Sequence, residues 1–402
     1  MKDFKLICTG CGKEYSVEHV NPRCDNCNEP LEMELIKEGK IKEGSPLTQT
    51  ILERYSDFFP FDKINNDLSL NEGFTSLVPS PKIAKKIGIK GIYFKNESQN
   101  PTWSFKDRGT LFGIQHAYSL GYKKIGAVST GNMAVSVAAY GKRAGVDTFI
   151  FVGSNIPAEK LNPVAIYGSN LIKVEGDYGK LYYESLEIGK KREIYFINSD
   201  VTYRVEGYKT AAFEMCEQLN FNVPDYVVVP TSAGGNIRGI LKGFEEFKAV
   251  GLIDRIPKFI CAQASGCSPI YNAFIKGKEK IERIQNPCTI AHGIENPFPP
   301  SGNEVLRKIK AKKGTCTAVT DEDIILAQKE MAEEGIFAQP ESCVPLAAVK
   351  KLKNEGFLKD NDTVACIVTG SGLKYTAAFE KHNLKSYQCK LEELESFIAN
   401  NF

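Results

Sequence analysis

From Ile92 onward the chain alternates short, unbroken apolar runs with longer stretches whose apolar residues recur at helical spacing. The runs at 125–128, 148–152, 171–174 and 194–197 have the length and composition of buried strands, and the stretches at 131–144, 157–167 and 178–191 read as helices between them. The alternation then resumes. Strands are expected at 225–229, 259–263 and 364–368, with helices at 236–250, 321–334 and 342–354. Strand and helix in regular alternation imply parallel pairing. The expected architecture is α/β, with two doubly wound parallel-sheet domains.

Residues 37–46 are charged and marked by glycine and proline, which suits a linker near residue 45. In front of it Cys8, Cys11, Cys24 and Cys27 form C-x2-C-x12-C-x2-C, with Gly12 and Asn21-Pro22 as turn residues. Two such knuckles can complete a tetrahedral thiolate site for Zn2+; a metal-free ribbon or a redox pair has the same spacing. Four protein ligands leave no open position, so a metal there is structural. The other eight cysteines are scattered singly and read as reduced thiols.

At 402 residues and 42% hydrophobic content, the chain can fill two domain cores or three. Lys and Arg number 51 against 49 Asp and Glu, a net charge of +2, so no global field draws nucleic acid or an anionic membrane. The N-terminus lacks an apolar run of signal-peptide length, and no segment approaches the roughly 18 apolar residues of a membrane span. A cytoplasmic protein without nucleic-acid or membrane partners is expected.

In open parallel sheets, ligands bind beyond the carboxyl ends of the strands. Three loops there carry suitable chemistry. Ser129-Thr130-Gly131-Asn132 opens a helix, and its hydroxyls and exposed amides suit a carboxylate or another anion. Thr231-Ser232-Ala233-Gly234-Gly235-Asn236 also enters a helix, and its small residues let backbone N–H groups approach a phosphate. Thr369-Gly370-Ser371-Gly372 places a hydroxyl at the end of a buried strand. Each loop alone is also ordinary turn chemistry. G-x-G-x-x-G is absent from these turns, no Gly-Lys-Ser/Thr completes a Walker loop, and His19, His116, His292 and His382 are too dispersed for a Ser-His-Asp arrangement. Of the four, only His292 lies in a loop suggestive of a site, where a plain turn role explains it as well.

The segment Pro101-Thr102-Trp103-Ser104-Phe105-Lys106-Asp107-Arg108-Gly109 sets Lys106 in a turn, with Ser104 the expected helix N-cap and Asp107 at N3. A lysine amine becomes a nucleophile once its pKa falls from about 10.4 towards 7 or 8.

Taken in order, Asn100-Pro101-Thr102 with 104–109, then 129–132, then 232–236 resemble the pyridoxal-phosphate enzymes of fold type II, and among them the threonine synthases. Glu72-Gly73-Phe74-Thr75, residues 203–210, Gln263 and residues 369–374 extend the likeness, and the ribbon also resembles that of some microbial threonine synthases. The resemblance implies a zinc ribbon at 1–45, a large cofactor-binding domain at 46–107 and 205–402, a small substrate-side domain at 108–204, and a homodimer. It implies that Lys106 carries pyridoxal 5'-phosphate and moves protons, that Asn132 meets the pyridine hydroxyl, and that Ser232, Ala233, Gly234, Gly235 and Asn236 cradle the cofactor phosphate. Thr369 is then the partner of the pyridine nitrogen. A hydroxyl there does not hold the ring protonated, which favours elimination and replacement chemistry. Ser129 and Thr130 are implied for the carboxylate of a phosphorylated amino-acid substrate, and Lys95, Lys160, Asn198 and Arg204 for its phosphate.

The implied reaction converts O-phospho-L-homoserine and water to L-threonine and phosphate. Protons leave Cα and Cβ, phosphate departs from Cγ, and water adds at Cβ. Three departures bear on the substrate: Trp103 stands where the family usually has Gly, Val201-Thr202 replace a usual Asn-Pro, and Asn162-Pro163 are expected to interrupt the helix after Lys160. A threonine or serine dehydratase, a cysteate-type synthase and a non-catalytic relative are the competing readings.

Overall fold

The computed structural model describes residues 4–36, 39–154, 156, 158–176, 178–375, 382 and 386–401, apart from the side chains of 158–160, 178 and 179. At the N-terminal end, β1 (Phe4–Cys8), β2 (Glu14–Tyr15) and β3 (Leu31–Leu35) form an antiparallel sheet in the order β2-β1-β3. Its strands alternate as a half-buried sheet requires: Phe4, Leu6 and Cys8 are buried while Lys5 faces water. Arg238 donates to the Leu31 carbonyl at 3.2 Å and to Glu32 at 3.1 Å, and Lys308 reaches Glu32 at 2.7 Å. Burial would raise the Glu32 carboxyl, but Lys308, Arg238 and Lys242 outweigh it and pull it down to about 2. The ribbon is therefore clamped to the body and does not merely hang from a linker.

The body begins with α1 (Ile51–Arg54), β4 (Leu77–Pro79), α2 (Pro81–Ile87), β5 (Gly91–Asn96) and α3 (Lys106–Ser119). Next come β6 (Lys124–Val128), α4 (Asn132–Ala144), β7 (Asp147–Gly153), α5 (Ala158–Ala165), β8 (Asn170–Val174), α6 (Tyr178–Arg192) and β9 (Tyr195–Phe196). The chain continues through α7 (Thr202–Tyr208), α8 (Thr210–Gln218), β10 (Tyr226–Pro230), α9 (Gly235–Ala249), β11 (Lys258–Ala264) and α10 (Pro269–Ile275). It ends with α11 (Gly302–Ala311), β12 (Thr315–Val319), α12 (Asp321–Glu333), α13 (Pro340–Asn354), β13 (Thr363–Val368) and α14 (Leu394–Asn401).

Two sheets result. One has six strands in the order β12-β11-β10-β13-β5-β4, the other four in the order β8-β7-β6-β9. All pairings in both are parallel except β4 with β5, which is an antiparallel edge. Alternate residues of β10 serve different cores: Val227 and Val229 pack with Phe213, Phe244 and Phe247, and Val228 with Val344 and Ala347. Burial on both faces is why this strand reads as an unbroken apolar run.

The expected strands and helices lie within a few residues of those observed. Among the elements not anticipated, β5 contains a buried lysine, Lys95, and α7 is buried around nearly its whole circumference, so no polar stripe marks it as a helix; α3, expected only as a helix start after Ser104, is buried in the same way. Two local expectations are corrected. Ser104 is not the N-cap of α3: Phe105 holds that position, and the Asp107 carboxylate turns back to accept from the Thr102 N–H and hydroxyl, both at 2.6 Å. Nor do Asn162-Pro163 interrupt the helix after Lys160. α5 runs through Pro163, even though an interior proline removes one donor from the ladder and crowds the carbonyl one turn back. Among the described residues no helix is long and apolar enough to cross a membrane.

Candidate active site

Lys106 opens α3, and the turn before it is pinned to the loop after β13. The Phe105 N–H donates to the Thr369 carbonyl at 3.0 Å, the Ser371 N–H to the Trp103 carbonyl at 3.1 Å, and Ser104 and Gly370 form an isolated antiparallel bridge. Trp103 is fixed at φ 61° between these bonds and its own N–H···O bond to Asn100 at 2.7 Å. A left-handed backbone is unusual for a bulky residue, which gives a physical reason for glycine to be favoured at this position.

Burial lowers the Lys106 amine to about 7; Arg204 pushes it the same way, while Glu341 opposes. Arg204 is itself buried. Its guanidinium donates to the Tyr208 hydroxyl at 2.8 and 3.1 Å, to Thr110 Oγ1 at 3.1 Å and to the Lys106 carbonyl at 3.4 Å. Tyr208 in turn packs on Phe105, ring centroids 5.0 Å apart, and lies against Gly235. This ring joins the lysine turn to the glycine loop.

That loop is shaped by its glycines. Gly234 has φ 98°, and a Cβ there would lie 2.9 Å from Ser301 Cβ and Val305 Cγ2; at Gly235 a Cβ would lie 3.0 Å from the Ser199 carbonyl oxygen. The chain therefore enters α9 with bare backbone, and the N–H groups at the start of this 15-residue helix can face an anion. Asn236 Nδ2, in the first turn, is a buried donor with no partner. Gln263 braces the loop from below by donating to the Thr231 carbonyl at 3.2 Å.

A hydrogen-bonded chain joins Asn132 to Thr369. Asn132 Nδ2 donates to Gln339 Oε1 at 2.7 Å, the Gln339 N–H to the Gly370 carbonyl at 3.1 Å, and the Gly370 N–H to Ser342 Oγ at 2.9 Å; the Ser342 and Thr369 hydroxyls meet at 2.9 Å. Gln339 and Ser342 were not anticipated from the sequence. The signal available was Pro340, which starts α13 in the loop facing Thr369. Ser129 and Thr130 are half-buried at the end of β6, where the Ser129 N–H donates to the Phe151 carbonyl at 3.2 Å.

Of the four residues expected around a substrate phosphate, Arg204 stands beside Lys106. Lys95 does not: its ammonium is fully buried and donates to Glu214 at 2.6 Å, the Thr75 carbonyl at 2.7 Å and Gln218 at 3.0 Å. It belongs to the ion network around Arg108, which bridges Glu97 and Glu214. Asn198 is likewise engaged, accepting from the Val128 N–H at 3.0 Å and donating to Ser185 at 3.1 Å, so it props the strand leading to Ser129. Lys160 lies on α5, its side chain outside the described residues.

Three further titratable groups gather around this site: His292, marked in the sequence by its loop, Lys374, at the end of the 369–374 segment, and Glu341, which the sequence does not mark. Lys374 donates to the Thr102 carbonyl at 2.7 Å, and burial lowers it to about 8. Glu341 is buried in the first turn of α13, and burial raises its carboxyl. His292 is half exposed and paired with Glu295 at 3.2 Å. In the N-terminal ribbon the four cysteine sulfurs lie within 4.8 Å of one another, with Cys8–Cys27 at 3.3 Å and Cys11–Cys24 at 3.6 Å. A tetrahedral Zn–S4 site with bonds of about 2.3 Å has edges of about 3.8 Å. The geometry therefore fits that metal.

A lysine with a lowered pKa, a glycine-built anion cradle with an orphan donor, and a hydroxyl at the end of β13 fit an aldehyde, a phosphate and a pyridine nitrogen, the groups of pyridoxal phosphate. The pattern of the family described as "Pyridoxal-phosphate dependent enzyme" matches residues 68–370, and the chain belongs to that family. It is similar to the threonine synthase of Methanocaldococcus jannaschii, with 39% identity over 373 residues covering 91% of this chain and 92% of that protein. The threonine synthase of Methanosarcina acetivorans is 35% identical over 376 residues, 92% of each chain. Maize serine racemase shares the fold, with a TM-score of 0.66 at 24% identity over 76% of this chain and 91% of that one.

Proposed function

We infer that the protein is a threonine synthase, converting O-phospho-L-homoserine and water to L-threonine and phosphate. The observation that carries the inference is the 39% identity to a threonine synthase over 91% of the chain, joined to a site in which the turn before Lys106 is bonded to the Thr369 loop. Bound pyridoxal phosphate supplies an electron sink for a carbanion beside the substrate amine. Lys106 holds the cofactor and accepts the Cα proton; with its amine at about 7, a large share is neutral at physiological pH. Ser232, Ala233, Gly234, Gly235 and Asn236 hold the cofactor phosphate, Asn132 is oriented towards the ring by Gln339, and Thr369 meets the pyridine nitrogen. In this reading Ser129 and Thr130, at the entry to α4, orient the substrate carboxylate, and Arg204, with Lys160 a second, serves the substrate phosphate by giving up donors now held by Tyr208 and Thr110.

The division into a ribbon at 1–45, a large domain at 46–107 and 205–402 and a small one at 108–204 belongs to the same reading. So do structural Zn2+ on Cys8, Cys11, Cys24 and Cys27, a homodimer and a cytoplasmic location. The test is direct: purified enzyme with pyridoxal phosphate releases phosphate from O-phospho-L-homoserine in step with L-threonine, and far less from O-phosphoserine. Release of ammonia and a keto acid from threonine, without that reaction, favours a dehydratase instead.

A further inference from the structure

Glu341 occupies the second position of α13, between Gln339, which holds Asn132, and Ser342, which holds Thr369. Its backbone is thus fixed relative to the proposed cofactor site. It is buried, and among the described residues it takes part in no ion pair; the donor it finds is its own backbone N–H. The carboxyl lies against the turn that follows His292, so closely that a Cβ on Gly293 would come 2.2 Å from Oε1. The charged groups acting on it come from three separate segments: Lys106 on α3, Lys374 after β13, and His292. His292 is half exposed and offers a way out to solvent. Other nearby carboxylates are committed, Asp107 to both donors of Thr102, and Glu97 and Glu214 to Arg108. A buried carboxyl with no ion-pair partner, carried on the helix turn that holds Asn132 and Thr369, is free to exchange a proton.

The proposed reaction, on which this inference rests, removes protons from both Cα and Cβ. Lys106 can take the second only after passing the first on, and a guanidinium such as that of Arg204 accepts none. We propose that Glu341 accepts the proton leaving Cβ and delivers it to Cγ, while Lys106 serves Cα. The Cβ–H bond breaks with its proton going to the carboxylate, and the electron pair left on Cβ expels phosphate as the Cγ–O bond breaks. The proton returned to Cγ makes the methyl group. Water then gives its hydroxyl to Cβ and its proton to the released phosphate, and Lys106 returns the Cα proton.

The test uses holoenzyme in D2O with L-2-amino-5-phosphonopentanoate, a phosphonate analogue that cannot lose phosphate, and follows hydrogen exchange at each carbon by NMR. Wild type exchanges at Cα and Cβ. Glu341→Gln keeps Cα exchange within about threefold while Cβ exchange falls about a hundredfold or more, the usual range for a lost general base. Glu341→Asp recovers part of it, and Gly293→Ala, which crowds the carboxyl, reproduces the selective loss. In protein labelled with 13C at glutamate carboxyls and without cofactor, the resonance absent from Glu341→Gln titrates above the ordinary glutamate range. Unchanged Cβ exchange in Glu341→Gln, or equal loss at both carbons, overturns the proposal. A wild type that exchanges neither proton refutes the proposed function itself, and this role with it.

Discussion

Replacing Lys106 with methionine keeps the length of the side chain and removes the amine, and the cofactor-free variant is expected to be more stable than cofactor-free wild type at neutral pH. The amine falls from its ordinary 10.5 to about 7, a drop of about 3.5, chiefly through burial. At 1.36 kcal/mol per unit, charging it at pH 7 disfavours the folded state by on the order of 4 kcal/mol, and partial exposure of the side chain reduces this to about 2–3 kcal/mol. The sign follows from the lowered pKa. Folding favours the neutral amine, so the penalty is absent above pH 10.5, grows as pH falls towards 7 and is constant below. Urea unfolding, read by the emission of Trp103, the chain's one tryptophan, measures the gap. It should be about 2–3 kcal/mol at pH 7 and shrink to about a third of that at pH 9.5. A methionine variant no more stable at pH 7, or a gap that ignores pH, would falsify the burial of this amine.

Three further outcomes are expected. Arg108→Leu leaves Glu97 buried without its cation and Glu214 with Lys95 alone, and costs about 3–5 kcal/mol in thermal unfolding; a fall below 1 kcal/mol contradicts the network. Trp103→Gly releases an L-residue from φ 61° and gains about 0.5–1 kcal/mol after glycine's chain entropy is subtracted, so a loss of stability argues against strain. Elemental analysis finds one zinc per chain, and chelation or Cys11→Ser lowers the melting temperature; stoichiometric absence of zinc removes the metal from the account.

What the sequence made legible, and what it hid, divides along the kinds of contact involved. The parallel strands and the four cysteines are written in local pattern, because unbroken apolar runs and fixed ligand spacing survive without tertiary context. Lys106, Asn132, the 232–236 loop and Thr369 were visible as separate loops at strand ends, and the fold brings them together through the Phe105–Thr369 and Gln339–Gly370 bonds. Lys95 was misread because a buried lysine looks the same in sequence as an exposed one; only the position of Glu214, 119 residues away, shows that its charge is spent in the core. Asn198 contacts the residue before Ser129, but its amide is already engaged by the Val128 N–H and Ser185. Glu341 gave no signal at all. Its significance depends on Gly293 and Lys374, which approach it from distant parts of the chain.

The central claim is the fate of the substrate's carbon–oxygen bonds, and H2(18)O follows it. With O-phospho-L-homoserine as substrate, the account predicts L-threonine carrying 18O in its hydroxyl and phosphate carrying none. Label in the phosphate with homoserine as the amino acid would mean that water attacks phosphorus, and would contradict it.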